Sequence, residues 1–139
     1  MSAATYLIDT SALVRVLKQP ARGLWEKPLK EGLLARCPLT EVEFLYSARN
    51  AEDRVELVQD LDALFGWAPL DDRAMTRAWD VQRELTENGR HRSAGAVDLL
   101  VAATAELQGL TLLHYDNDFE TIASVTGQPT QWLASPGTL

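Results

Sequence analysis

The sequence holds one cysteine, Cys37, in 139 residues, so no internal disulfide can form; this fits a reducing compartment. With only His91 and His114 beside it, no zinc-ligand spacing exists. No GxxxxGK(S/T) phosphate loop and no GxSxG elbow occur, which argues against a P-loop nucleotide hydrolase and a serine hydrolase. No apolar run approaches the ~18 residues of a membrane span. The amino terminus lacks a basic start and Asp9 interrupts its apolar stretch, so the expectation is no signal peptide and a cytoplasmic protein. No period of roughly 20–50 residues repeats, and no low-complexity linker divides the chain. The expectation is a single domain over 1–139.

A hydrophobic fraction of 46% and a charged fraction of 24% are those of a globular chain. The net charge of -7 argues against nucleic-acid binding by bulk electrostatics. The charge is uneven, however. Residues 1–39 carry six bases and three acids, whereas residues 93–139 carry five acids and no Lys or Arg. Ten of the 13 bases are Arg, whose planar fork suits phosphate oxygens.

Hydrophobic periodicity predicts a strand over Ala4–Ile8, then a helix over residues 11–18. A helix over 24–35, interrupted at Pro28, and a very short strand within residues 35–40 follow. Thr40 is expected to open a helix with Val42, Phe44, Leu45 and Ala48 inward, as a capping box with Glu43. Further helices are expected over 53–65 and 72–85, with a short extended piece at 67–70 between them. After the polar loop at 89–95, residues 96–107 read as a mostly apolar, hence buried, helix. Residues 110–115 form the clearest strand; a helix over 119–125 and a strand over 130–133 end the chain. Alternating strands and helices give an α/β fold with a parallel sheet. Ligands of such sheets sit at the carboxyl ends of the strands, where Asp9 and Asp116 are expected.

Each of these acids has an ordinary explanation alone. Asp9 suits a helix N-cap, and the run Asp116-Asn117-Asp118 suits a turn. Glu43 suits the capping box, and Glu41 competes with it as a candidate ligand. Asp98 is harder to dismiss, because it sits in an apolar helix with no basic neighbour at helical spacing. Several acids at one sheet edge cannot all ionise without a counter-charge, which invites a divalent cation. Oxygen donors select a hard ion, Mg²⁺ or Mn²⁺.

LIDTSALV near the amino terminus, VEFLYSAR, and then AVDLLVAATAELQGLTLLHYDNDF resemble PIN-domain ribonucleases, in particular the VapC toxins of bacterial toxin–antitoxin pairs. The resemblance covers nearly the whole chain. It implies a PIN-like α/β/α sandwich with a short, mostly parallel central sheet. It also implies a metal-dependent endoribonuclease that arrests translation and growth, with Asp9, Glu43, Asp98 and Asp116 as the core acids and Asp118 as an accessory. One or two Mg²⁺ or Mn²⁺ ions would prime a water for in-line attack on the phosphodiester, leaving a 5′-phosphate and a 3′-hydroxyl. Ser11 occupies a small-hydroxyl position that in the family supports metal or substrate.

Arg90 and Arg92 in the loop before Asp98, and Arg15 and Lys18 after Asp9, are candidates for the RNA backbone. Trp25 and Trp67 are candidates for base stacking, although core or interface roles are expected for them. The resemblance further implies a VapB-like antitoxin that lays an apolar helix into a groove, a homodimer, and DNA contact only through the antitoxin; the apolar helices around residues 42–48 and 55–65 are candidate walls for that groove. Two other readings use the same residues. A receiver-like signalling module would need a Lys at the pocket, and none follows Lys30. A non-catalytic scaffold would use the acids only as caps and turns.

Overall fold

The computed structural model describes residues 4–139. Five strands, β1 (Tyr6–Ile8), β2 (Leu34–Arg36), β3 (Gly66–Trp67), β4 (Thr111–His114) and β5 (Thr130–Trp132), form one sheet in the order β3-β2-β1-β4-β5. Every pairing is parallel. Eight helices join the described strands: α1 (Thr10–Val16), α2 (Ala21–Leu24), α3 (Glu26–Lys30), α4 (Pro38–Leu45), α5 (Ala51–Leu64), α6 (Arg73–Glu87), α7 (Ala96–Leu107) and α8 (Asn117–Thr126).

Successive strand residues point to opposite faces, and the core divides accordingly. Leu7, Ala35 and Leu112 meet α6, α7 and α8 on one face. Ile8, Leu34 and Leu113 meet Leu13, Val16, Trp25, Phe44 and Leu61 on the other. The result is the expected three-layer sandwich. The chain winds from β1 outward to β3, then crosses to β4 and β5 on the far side of β1. The strand order therefore reverses between β1 and β4, and the edge beyond their carboxyl ends is where sheets of this kind form their ligand crevice.

Several expectations need correction. The helix expected over 24–35 is two short helices, α2 and α3, and its last residues instead form β2. Gly32, at φ +70°, makes the left-handed turn that ends the helical path. Pro28 sits within the first turn of α3, where its missing N–H is not needed. Thr40 does not cap α4. The helix opens earlier, at Pro38 with Cys37 before it, and Thr40 is buried beside the Cys37 Sγ. Proline's fixed φ favours the first helical position, and this overrides the capping pattern. Val42, expected inward, is exposed, and so are Val55 on α5 and Met75 and Trp79 on α6. No helix among the described residues is long and apolar enough to cross a membrane.

Candidate active site

Asp9 leaves β1 and caps α1, as its position suggested. Its carboxylate accepts the N–H groups of Ser11 (3.1 Å) and Ala12 (3.2 Å) and the Ser11 hydroxyl (2.8 Å). The Ser11 oxygen in turn accepts the N–H of Tyr115 at 2.8 Å. Ser11 therefore fastens the end of β4 to the end of β1, and its hydroxyl is engaged on both sides. Burial pushes the Asp9 carboxyl up to about 6, against the pull of those donors, and Asp98 adds to the rise.

Asp98 lies in the first turn of α7. Burial raises its carboxyl to about 6, with further contributions from the negative fields of Asp116, Glu43 and Asp118. Asp116 caps α8, accepting the Asp118 N–H at 2.9 Å. Asp118 is itself raised, by burial and then by Asp116. Five acids drawn from α1's cap, α4, α7 and α8's first turn thus act on one another across the crevice.

The two candidate glutamates separate cleanly. Glu41 turns to Arg36, whose Nη2 lies 3.0 Å from its Oε1. Glu43 is exposed, and its carboxylate accepts the hydroxyl of Thr10, the first residue of α1. Only Glu43 faces Asp98.

Sequence reasoning passed over Thr10 and a triad behind the acids. His114 ends β4 fully buried, and its Nδ1 accepts the Asp116 N–H at 3.2 Å. An accepting Nδ1 leaves the ring proton on Nε2, which lies 2.7 Å from Glu120 Oε2. Glu120 also accepts the Thr130 hydroxyl at 2.7 Å. Burial lowers the His114 pKa, outweighing the pull of Glu120, so the ring stays neutral. The available signal was a histidine closing an apolar strand with a glutamate six residues on.

The other candidates lie outside this cluster. Arg90, Arg92 and His91 are exposed, and Arg90 donates to Ser124 (3.4 Å), seven residues beyond the start of α8. Trp25 is core, with its Nε1 donating to the Leu133 carbonyl at 2.8 Å. Trp67 is half exposed and covers the Arg36 guanidinium, 5.0 Å from the ring centre.

The donors fit a hard divalent ion in kind: all are carboxylate oxygens, and two carboxyls are held near pH 6 by burial and mutual repulsion. As placed, no three His, Cys, Asp or Glu side chains among the described residues stand close enough to share one ion. The Asp9 and Glu43 carboxylates are engaged by Ser11 and Thr10 instead.

The PIN domain family model matches residues 6–125. This chain belongs to the PIN-domain family. Within it, the chain is similar to Ribonuclease VapC21 of Mycobacterium tuberculosis, 42% identical over 133 residues that span 96% of each chain. It is also similar to Ribonuclease VapC51 of the same species, at 39% identity over 99% of this chain and 98% of the relative. The recognition as a VapC-type PIN domain therefore holds. In fold, the PIN domain resembles the DNA-bound VapBC of Salmonella typhimurium, with a TM-score of 0.78 at 17% identity over 95% of this chain and 100% of that one. VapBC-1 from nontypeable Haemophilus influenzae gives a TM-score of 0.75 at 18% identity, over 92% and 97% respectively.

Proposed function

We propose that the protein is a cytoplasmic, Mg²⁺- or Mn²⁺-dependent endoribonuclease, the toxin of a toxin–antitoxin pair, which cleaves RNA and so arrests translation and growth. The observation that carries this reading is the surplus of negative charge at the β1/β4 crevice. Asp9, Asp98, Asp116, Asp118 and Glu43 border it and repel one another, and no cation lies within 4.0 Å of any of them among the described residues. The names of the VapC relatives support the ribonuclease part. The VapBC structures of like fold support a VapB-like partner.

Asp9 and Asp98 would hold the ion, with Asp116 and Glu43 binding directly or through water and Asp118 in support. A bound divalent ion supplies an acidified water and offsets charge that builds on the phosphate. The chain does the positioning. Ser11 orients Asp9, the His114–Glu120–Thr130 triad fixes the backbone of Asp116, and Thr10 aims Glu43. The α4 and α5 surface, with Val42, Tyr46 and Val55 exposed, is proposed as the wall for the antitoxin helix. A homodimer is proposed, and DNA contact only through the antitoxin.

The test is cleavage of total cellular RNA with Mg²⁺ or Mn²⁺ and with EDTA, followed by sequencing of 5′ ends. Discrete metal-dependent cuts bearing 5′-phosphates are expected, absent in Asp98→Ala. Undiminished cutting by Asp98→Ala, or unchanged Mn²⁺ affinity, would refute the reading.

A further inference from the structure

We infer that Arg15, Lys18 and Arg22 form a phosphate-binding track that receives the backbone of single-stranded RNA leaving the acidic crevice. The inference rests on the ribonuclease reading above. The crevice repels RNA on its own, so cations elsewhere must hold the chain. Seven of the 13 bases are committed to acids: Lys27, Lys30, Arg36, Arg49, Arg73, Arg77 and Arg83. Six have no acid within 4.0 Å among the described residues, and three of those six follow one another along a single path.

That path starts at the crevice. Arg15 lies six residues past Asp9 along α1, about 9 Å of helix rise. The Lys18 N–H donates to the Arg15 carbonyl (3.1 Å), and the Arg22 N–H to the Lys18 carbonyl (2.9 Å), so the backbone carries the three residues turn by turn from the end of α1 into α2. Arg15 is fixed in place. Its Nη1 donates to the Ser11 carbonyl at 2.7 Å, and its guanidinium lies over the Tyr115 ring, 4.6 Å from the centre. Its remaining donors are free for a phosphate oxygen.

Arg15 and Lys18 line a cavity of about 390 Å³, and Arg22 lines a neighbouring one of about 520 Å³, with Gln19 in the wall of both. Glu26, an acid near Arg22, is already bonded to Lys30 at 2.8 Å. Arg90, by contrast, is turned toward Ser124 on α8.

The probe is a fluorescein-labelled single-stranded 12-mer RNA, with anisotropy read in EDTA across a NaCl series. Three phosphate contacts predict that Arg15→Gln/Lys18→Gln/Arg22→Gln flattens the slope of log affinity against log salt by about 2 and weakens low-salt binding at least ~10-fold. Because Arg15 also braces Ser11, the double variant Lys18→Gln/Arg22→Gln is measured too; it should flatten the slope by about 1.4 with an unchanged melting curve. Arg90→Gln/Arg92→Gln should leave the slope intact. An unchanged slope in the triple and double variants overturns the track, as does a loss confined to Arg90→Gln/Arg92→Gln. Equal binding of an oligoglutamate of the same length would assign the stripe to an acidic protein segment and also overturn it. If the salt-dependent binding stands while Mg²⁺ yields no cleavage, the hydrolase reading fails and the track does not.

Discussion

Two polar clusters sit at the same carboxyl edge of the sheet, and they are built on opposite plans. At the end of β2, Arg36 is buried and spends its donors on the Phe65 carbonyl (2.8 Å), Glu41 and Asp62. Trp67 covers its face. Every charge there has an opposite partner in contact, one guanidinium between two carboxylates, and the geometry is closed. At the ends of β1 and β4, five acids share a field with no base among them. No buried side-chain nitrogen or oxygen among the described residues lacks a partner, so Asp9 is not short of hydrogen bonds. It is short of positive charge, which hydrogen bonds from neutral donors do not supply. A buried charge that is neutralised holds a fold together, whereas a surplus left in place waits for a ligand.

The contrast makes the largest difference when one member of each cluster is removed. Arg36→Met strands Glu41 and the carbonyls of the β3 turn, and should cost about 3–5 kcal/mol of stability in urea unfolding. Asp98→Asn should cost no stability at pH 7.5 without metal, because it relieves repulsion, yet lower RNA cleavage by about 100-fold or more. Equal stability losses in the two variants would dissolve the distinction.

The two glutamates test the same boundary within one helix. Glu41→Gln should lose about 1.5–3 kcal/mol of stability, as a charge-assisted bond to buried Arg36 is lost, and keep its cleavage rate. Glu43→Gln should do the reverse: cleavage falls while the urea midpoint stays put.

Titration sharpens the comparison. Asp9 and Asp98 have ordinary values near 3.8 and folded values of about 6. A raised acid pKa means that the folded state holds the proton more tightly. The stabilisation is therefore full below pH 3.8 and lost as pH rises through about 6. Metal-free wild type and Asp98→Asn should melt together near pH 4, and the variant should melt higher by pH 7. Mn²⁺ affinity should climb as pH rises through about 6 and level only above it, since ion and proton compete for the same oxygens. A melting gap that shrinks with rising pH would contradict the surplus-charge account.

The acids and the fold were legible in the chain because they rest on local signals: an apolar strand ending in Asp9, an apolar helix carrying Asp98, and a strand running into Asp116. The Glu43 environment was not legible. The capping pattern around Thr40 was plausible in isolation, and only Pro38 and the buried Cys37–Thr40 contact decided where α4 begins. His114 was passed over because its partners lie on α8 and β5, and a buried neutral imidazole leaves no periodic mark in sequence. The exposed Val42 was misplaced for the converse reason: periodicity marks apolar residues, not the surface that covers them.

The smallest effect probes the lid of the paired cluster around Arg36. The Trp67 ring lies over a guanidinium that already has Glu41 and Asp62 beside it, so the ring adds only the attraction of its quadrupole and some shielding from water. Trp67→Leu keeps most of the apolar cover and removes the quadrupole, which predicts a loss of about 0.5–1 kcal/mol in urea unfolding. Cleavage should not change, because β3 lies at the sheet edge, two strands from β1. The half-exposed ring also offers a stacking platform for a base, and the same variant distinguishes the two roles. A KM for RNA that rises in Trp67→Leu with stability unchanged would move Trp67 out of the structural cluster and into the substrate path. The expected result, a small stability loss at constant KM, keeps the paired cluster around Arg36 wholly architectural.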